Sequence, residues 1–491
     1  MNEKMNDALE QIRNAYIEEA AKTKKRRPYW FAAAAAVLAL VIALSAIPWS
    51  RPVDPYVPST LPQNSGITPP EALELANLVA APAYPKMATK PNYADYSGNY
   101  EAYEAAYKAW QQDQRDQYDQ PNGYADSLTG FFADSAAAFL RGDKNSTYAP
   151  LNVYLALAML AETTGGNSRQ QILELLGLET IEALRQQASF VWNAHYCNDG
   201  ETTLLMANSL WLDDAFSFEQ DTTSTLASEY YASTFSGDLG TDALDQQLRQ
   251  WLNANTGGLL QEQAENVSLD PYTVFALAST MYFTAGWKNE FDPTRTEIDI
   301  FQGYNKRIQA AFMQRTCRTH TYYRGSNFGA INLLLSGNNK MWLILPDKGY
   351  TLDNILSSDE YMDLTLDPAA WENKAVYDVN LSLPKFDIAY QQDLIDGMKT
   401  LGVTDIFDRT VSDFTPMTDT PALYVGQINH AARVAIDEQG CIAAAFTVIG
   451  SYGTSAPQPL EEMDFVLDRP FLFVVSGRDH LPLFAGTVTE P

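Results

Sequence analysis

Hydrophobic positions along this chain fall into three regimes. The first is continuous: residues 30–49, WFAAAAAVLALVIALSAIPW, contain no charged side chain. Wound as a helix, such a run rises ~30 Å, the thickness of a bilayer's hydrocarbon core. Trp30 and Trp49 bracket it where interfacial aromatics belong. The second regime is interrupted by Pro52, Pro55, Pro58, Pro62, Pro69 and Pro70, so residues 51–70 read as an extended spacer. Residues 71–120 are Tyr- and Ala-rich, and Tyr100, Tyr103, Tyr107 and Trp110 recur at helical spacing. That stripe predicts a helix packed on the main body. The third regime, residues 121–491, is periodic. Tyr124–Leu140 sets Leu128, Phe131, Phe132, Ala136 and Phe139 on one helical face. Asn152–Leu175 predicts more helix, with Gly165-Gly166 ending its first half. Strand-like runs come later, at Leu204–Leu212, Val274–Phe283, Met341–Leu345, Val379–Leu383, Leu472–Val475 and Leu483–Val488. Helices early and strands late predict an α+β body.

Charge orients the first regime. Lys22, Lys24, Lys25, Arg26 and Arg27 precede the apolar run, and only Arg51 comes closely after it. The positive-inside rule makes residues 1–27 a cytoplasmic stub and 28–50 a transmembrane signal-anchor, with the body outside the plasma membrane. A cleaved signal peptide, giving a secreted protein, is the alternative. The leading segment is longer than a usual n-region. Within the stub, Leu9, Ile12, Tyr16 and Ile17 pattern a short amphipathic helix.

Composition removes several function classes. The chain carries 61 Asp+Glu against 33 Lys+Arg, a formal charge of −28, which repels nucleic acid. Cys197, Cys317 and Cys441 are far apart and form no CxxC, so neither a disulfide framework nor a zinc ribbon is expected. His195, His320, His430 and His480 form no HExxH, and neither GxSxG nor a P-loop occurs. No metal, cofactor or enzymatic activity is expected. An extracellular hydrolase would need a nucleophile motif that is not found.

An ordered series of short motifs points elsewhere. Asn145-Ser146-Thr147-Tyr148-Ala149-Pro150 precedes a helix containing Ala158-Met159-Leu160. Ala207-Asn208-Ser209-Leu210-Trp211-Leu212 comes next, then Val274-Phe275-Ala276-Leu277 with Phe283 and Trp287. Leu343-Ile344-Leu345-Pro346-Asp347, Leu383-Pro384-Lys385-Phe386, Leu401-Gly402-Val403, Ile406-Phe407, Arg469-Pro470-Phe471-Leu472-Phe473 and Phe484-Ala485-Gly486 complete it. In this order and spacing, residues 121–491 resemble a serpin, here as a membrane-anchored, bacterial-type member. The resemblance implies a large central, mostly antiparallel sheet with flanking helices and an exposed reactive-centre loop. It implies a monomeric, single-use inhibitor of serine proteases. A protease cuts the bait loop and forms an acyl-enzyme; the loop then enters the sheet as a new strand and distorts the enzyme.

The resemblance places that loop between Glu438 and about Asp464. Its hinge reads Glu438-Gln439-Gly440-Cys441-Ile442-Ala443-Ala444-Ala445-Phe446-Thr447. Strand side chains alternate faces. One face carries Cys441, Ala443, Ala445, Thr447 and Ile449, all small or apolar; the other carries Ile442, Ala444, Phe446 and Val448. No charge occurs from Cys441 through Leu460, and no proline before Pro457. Such a segment suits burial as a strand. Cys441 replaces the family's Thr/Ser and Ile442 its Glu; Cys is small and tolerates burial. The resemblance implies cleavage at Thr454–Ser455, within a window from Tyr452 to Ala456. Small residues there suit an elastase- or subtilisin-like enzyme and Tyr452 a chymotrypsin-like one. Lys385 and Glu438 resemble the salt bridge of the breach at the top of the sheet, with Trp287 beneath the same opening. His430 resembles the shutter histidine, with its polar partners exchanged as Ser279 and Asn152. The alternative to inhibition is a non-inhibitory surface-binding module on the same scaffold.

Overall fold

The computed structural model describes residues 36–40, 77–82, 90–199, 202–265, 267–441 and 460–491. Two sheets dominate. The first contains β1 (Ala36–Leu40), β2 (Leu78–Ala80), β4 (Cys197–Asn198), β5 (Thr202–Asp213), β6 (Ala232–Gly237), β7 (Phe275–Gly286), β13 (Phe386–Asp393), β14 (Tyr424–Gln427), β15 (Asn429–Ile436) and β16 (Gly440–Cys441). Its main order is β13-β15-β16-β7-β5-β6-β2. The second contains β3 (Ser146–Tyr148), β8 (Glu297–Gln302), β9 (Arg307–Arg324), β10 (Phe328–Leu334), β11 (Lys340–Pro346), β12 (Lys374–Pro384), β17 (Glu462–Val466), β18 (Phe471–Ser476) and β19 (Pro482–Val488). Most ladders are antiparallel; β5 with β6 and β12 with β17 are parallel.

The expected strands lie where apolar runs permit burial on both faces. The run at 204–212 sits inside β5, whose twelve residues are all buried, and that at 274–283 coincides largely with β7. Early helices lie on the expected periodic patterns at α1 (Tyr100–Tyr118), α2 (Leu128–Phe139) and α3 (Pro150–Thr163), and α4 (Ile181–His195) and α5 (Asp242–Asn255) are further helices of the body. Helix α3 begins with Pro150, whose missing N–H costs nothing at a first turn. All its residues are buried, because it lies between β7 of one sheet and β19 of the other. Helix α5 covers the opposite face of the first sheet. Its Leu244, Leu248, Trp251 and Leu252 form an apolar cluster with Trp211 and Phe235.

Two expectations for the N-terminal third change. The aromatic stripe exists, but no residue of α1 is fully buried. Tyr103 stacks edge-on with Tyr93 at 5.2 Å and Tyr96 at 5.8 Å, and Tyr107 contacts Trp110 at 5.3 Å. Of the stripe, Tyr103 thus packs on the short turn Tyr93–Tyr96 preceding the helix, and Tyr107 packs on Tyr103 and Trp110. Body contact falls to its last turn, where Gln117 Nε2 donates to the Tyr196 carbonyl at 2.7 Å.

Of the expected membrane helix over 28–50, the structure describes only Ala36–Leu40. Among the described residues no helix is long and apolar enough to cross a membrane. Ala36–Leu40 instead forms β1, parallel to β14 and β7. The physical reason is that an uncharged apolar segment needs its backbone groups satisfied, and a sheet ladder does this as a helix in lipid would. The rest of residues 28–50 lies outside the described residues.

Candidate functional site

The site is a seam in the first sheet. Strands β7 and β15 flank a single position in the order, and β16, which occupies it, supplies only two residues. Cys441 pairs antiparallel with Ile436 of β15, while Gly440 and Cys441 pair antiparallel with Gly286 and Ala285 of β7. Below this pair opens a narrow cleft lined by Asn152, Met281, Phe283, Ala432, Val434 and Cys441 among others. Farther down, β1 pairs with β7 through Leu38–Ala276, Ala39–Leu277 and Leu40–Ala278. Among the described residues the seam is therefore held at both ends, and no described strand fills its middle.

Its upper end is built by a tight turn. The Asp437 N–H donates to the Gly440 carbonyl at 3.1 Å. The Asp437 carboxylate accepts from the Gln439 and Gly440 N–H groups at 2.8 and 3.2 Å. This Asp-turn chemistry reverses the chain within three residues. A β-carbon at Gly440 would strike the Ala285 carbonyl oxygen and lie 2.7 Å from the Gly286 Cα, so only glycine brings the turn this close to β7. Trp287, 2% exposed, props the turn from below: its Nε1 donates to the Asp437 carbonyl at 2.8 Å, and its backbone N–H donates to the Gln439 carbonyl at 2.8 Å. Glu438 is clamped between Lys385 Nζ at 2.5 Å and the Thr296 hydroxyl at 2.7 Å. Burial alone would raise the Glu438 carboxyl, but the Lys385 ammonium and Thr296 outweigh it and hold it below its ordinary value. The structure thus brings together Lys385, Glu438 and Trp287. Burial pushes the Cys441 thiol up to about 12, with Asp437 adding to the effect, so the sulfur is an inert filler at the head of the seam.

The middle of the seam is less complete. The Ser279 hydroxyl on β7 donates to Asn152 Oδ1 on α3 at 2.5 Å, and Asn152 Nδ2 returns to the Ser279 carbonyl at 3.4 Å. His430 on β15 is fully buried, and its Nε2 accepts the Ala149 N–H at 3.0 Å. Burial lowers this imidazole to about 3, so it is neutral. Because Nε2 accepts, the proton sits on Nδ1, and Nδ1 finds no partner among the described residues. Ser279 and Asn152 bond each other rather than His430.

Ala443, Ala445, Thr447, Tyr452, Thr454, Ser455 and Ala456 lie outside the described residues. Sequence reasoning passed over Asp437 and Thr296. The first carried a usable signal, an Asp three residues before a Gly; Thr296 carried none, since it approaches Glu438 only in three dimensions.

Comparison with known proteins places this geometry. The model of the Serpin (serine protease inhibitor) family matches residues 129–491. Serpin-Z1C of Triticum aestivum is 29% identical over 371 residues, covering 71% of this chain and 90% of that protein. A solved thermophilic serpin, tengpin, in its native state superposes with a TM-score of 0.68 at 24% identity, covering 76% of this chain and 95% of that one. Human thyroxine-binding globulin complexed with its hormone superposes with a TM-score of 0.62 at 21% identity, covering 75% and 99%.

Proposed function

The chain belongs to the serpin family, and from that premise we propose that it is a single-use inhibitor of serine proteases whose bait loop enters the seam between β7 and β15. Serpins are generally protease inhibitors rather than enzymes. One observation carries the proposal for this chain: Gly440–Cys441 is already laddered, antiparallel, at the head of a seam whose middle no other described strand fills.

The pairing of those two residues sets the register for the rest of the loop. Each step along an antiparallel loop moves one step back along both neighbours. Starting from Cys441 opposite Ala285 and Ile436, Ala443 would come opposite Phe283 and Val434. Ala445 would face Met281 and Ala432, and Thr447 would face Ser279 and His430. Four of these flanking residues, Met281, Phe283, Ala432 and Val434, line the cleft. Small side chains at 443 and 445 suit that space. At 447 a hydroxyl would accept the proton that His430 Nδ1 now holds without a partner among the described residues. Loop residues from 448 onward would meet β1, since Leu40 pairs with Ala278. Full insertion therefore requires Ala36–Leu40 to leave the seam.

Cleavage within Tyr452–Ala456, at Thr454–Ser455, suits an elastase- or subtilisin-like protease, or a chymotrypsin-like one if Tyr452 is read. Incubation with one enzyme of each kind tests this. A higher-mass band that survives boiling in detergent, with a peptide released from that window, supports inhibition. Loop cleavage without such a band from every enzyme supports a non-inhibitory binding module instead.

We also propose that residues 30–49 anchor the protein in the plasma membrane with the body outside. The support is the uncharged run itself and the five cations at one edge. Residues 36–40 cannot sit in lipid and in the seam at once, so anchoring would clear the seam. Retention in membranes after alkaline carbonate extraction supports the anchor; recovery of the intact chain in the supernatant sinks it.

A further inference from the structure

Outside the seam, one buried cluster of titratable groups joins the segment before the family-matched region to the body. We propose that His195 is a protonation-controlled clasp that holds residues 117–127 against the body and releases them as the pH rises. The clasp operates whether or not the bait loop inserts.

Geometry fixes the proton count. His195 ends α4 and is 4% exposed. Its Nδ1 lies 2.8 Å from the Val191 carbonyl, which can only accept, so Nδ1 carries hydrogen. Its Nε2 lies 3.1 Å from Asp479 Oδ1 in the turn between β18 and β19. Asp479 accepts further hydrogen bonds, from the Tyr124 hydroxyl and from the Leu481 N–H at 3.2 Å, so it is arranged as an anion. Both ring nitrogens therefore face acceptors, and only the imidazolium satisfies both.

Two neighbouring residues of that turn grip the preceding segment. Asp479 accepts from Tyr124 in the linker between α1 and α2. The Arg478 guanidinium lies 3.5 Å over the ring of Tyr118 at the end of α1. His195 holds the turn in place through Asp479. The charged and titratable groups facing His195 are Asp479 and Arg478 from the turn and, through Asp479, Tyr124 from the linker. Burial and Arg478 oppose the imidazolium; Asp479 and the Val191 carbonyl outweigh them and raise its affinity for the proton. A raised histidine contributes its full stabilisation below its unfolded value, ~6.5, and loses it as the pH climbs through the folded value. Once neutral, Nε2 turns a lone pair toward a buried carboxylate, and the turn is repelled from α4.

Backbone hydrogen exchange of the full chain tests this, with protection of residues 117–127 corrected for the intrinsic pH dependence between about pH 6 and 9.5, upward from the ordinary histidine value of ~6.5. Protection in the native protein should fall at least tenfold across that range. In His195→Gln it should stay flat, because an amide donates to Asp479 at every pH. In Asp479→Asn the fall should move to lower pH. Flat protection in the native protein, or an equal fall in His195→Gln, overturns the clasp. Carbon-13 NMR of the His195 ring needs no variant: a midpoint above ~6.5 agrees with the proposal, and one at or below it contradicts it.

Discussion

The two levels of the seam differ in how fully their polar groups are satisfied. At the head, Asp437, Glu438 and Trp287 are tied by hydrogen bonds of 2.5–3.2 Å to Lys385, Thr296 and the turn backbone. Lower down, opposite Ser279, no described strand joins β7 to β15, and His430 Nδ1 has no partner among the described residues. A buried unsatisfied donor costs ~1–3 kcal/mol. The head is therefore a stable holding point, while the middle is a region whose free energy falls if a strand arrives.

The largest expected effect comes from filling the seam. If about twelve residues join the ladder at ~0.5–1.5 kcal/mol net per bond, the gain is on the order of 10 kcal/mol. Loop cleavage should accordingly raise the melting temperature by on the order of 10 °C. An unchanged melting curve after cleavage would erase the difference between the two levels.

Next comes the face that enters. Ala443→Arg would bury an unpaired charge beside Phe283 and Val434, a penalty of ~3–5 kcal/mol. Each ~1.4 kcal/mol on the insertion barrier slows that branch tenfold. Cleavage should persist while trapping is lost, so the protein becomes a substrate. Ala444→Arg points to the other face and should matter far less. Equal loss in both would refute the alternation.

The unsatisfied level should also show in acid. His430 titrates at about 3 when folded, against ~6.5 unfolded. Its folded value is depressed, so the unfolded chain binds the extra proton between these limits, and stability falls as the pH drops through that window. His430→Gln should flatten the acid limb by up to ~1.4 kcal/mol per pH unit. Chemical denaturation at several pH values between about 3.5 and 6.5 measures it. The smallest effect belongs to Thr447→Val. It should lower the melting temperature of the cleaved form by about 1 °C, for ~1 kcal/mol, and leave the intact form unchanged.

Much of the fold was legible in the chain itself. Apolar runs located β5 and β7 because both are buried on two faces, and α3 stops at Thr163, just before Gly165-Gly166. Motif order named Lys385, Glu438 and Trp287, and the structure places them around one turn. What stayed hidden depends on distant partners. Nothing local in Tyr103 says that the preceding turn will meet its ring. Nothing local in His430 says that exchanged partners Ser279 and Asn152 will bond each other and leave Nδ1 without them. The run at 30–49 shows its lack of charge, but charge alone does not distinguish lipid from a sheet as the place for Ala36–Leu40.

The most direct test of loop entry is backbone hydrogen exchange across residues 442–447 before and after loop cleavage. Insertion predicts that these amides, once the loop is cut, become as slow as those of Ser279–Phe283 on β7, with Thr447 protected along with Ala443. Exchange at the rate of an unfolded peptide in the cleaved protein would contradict it.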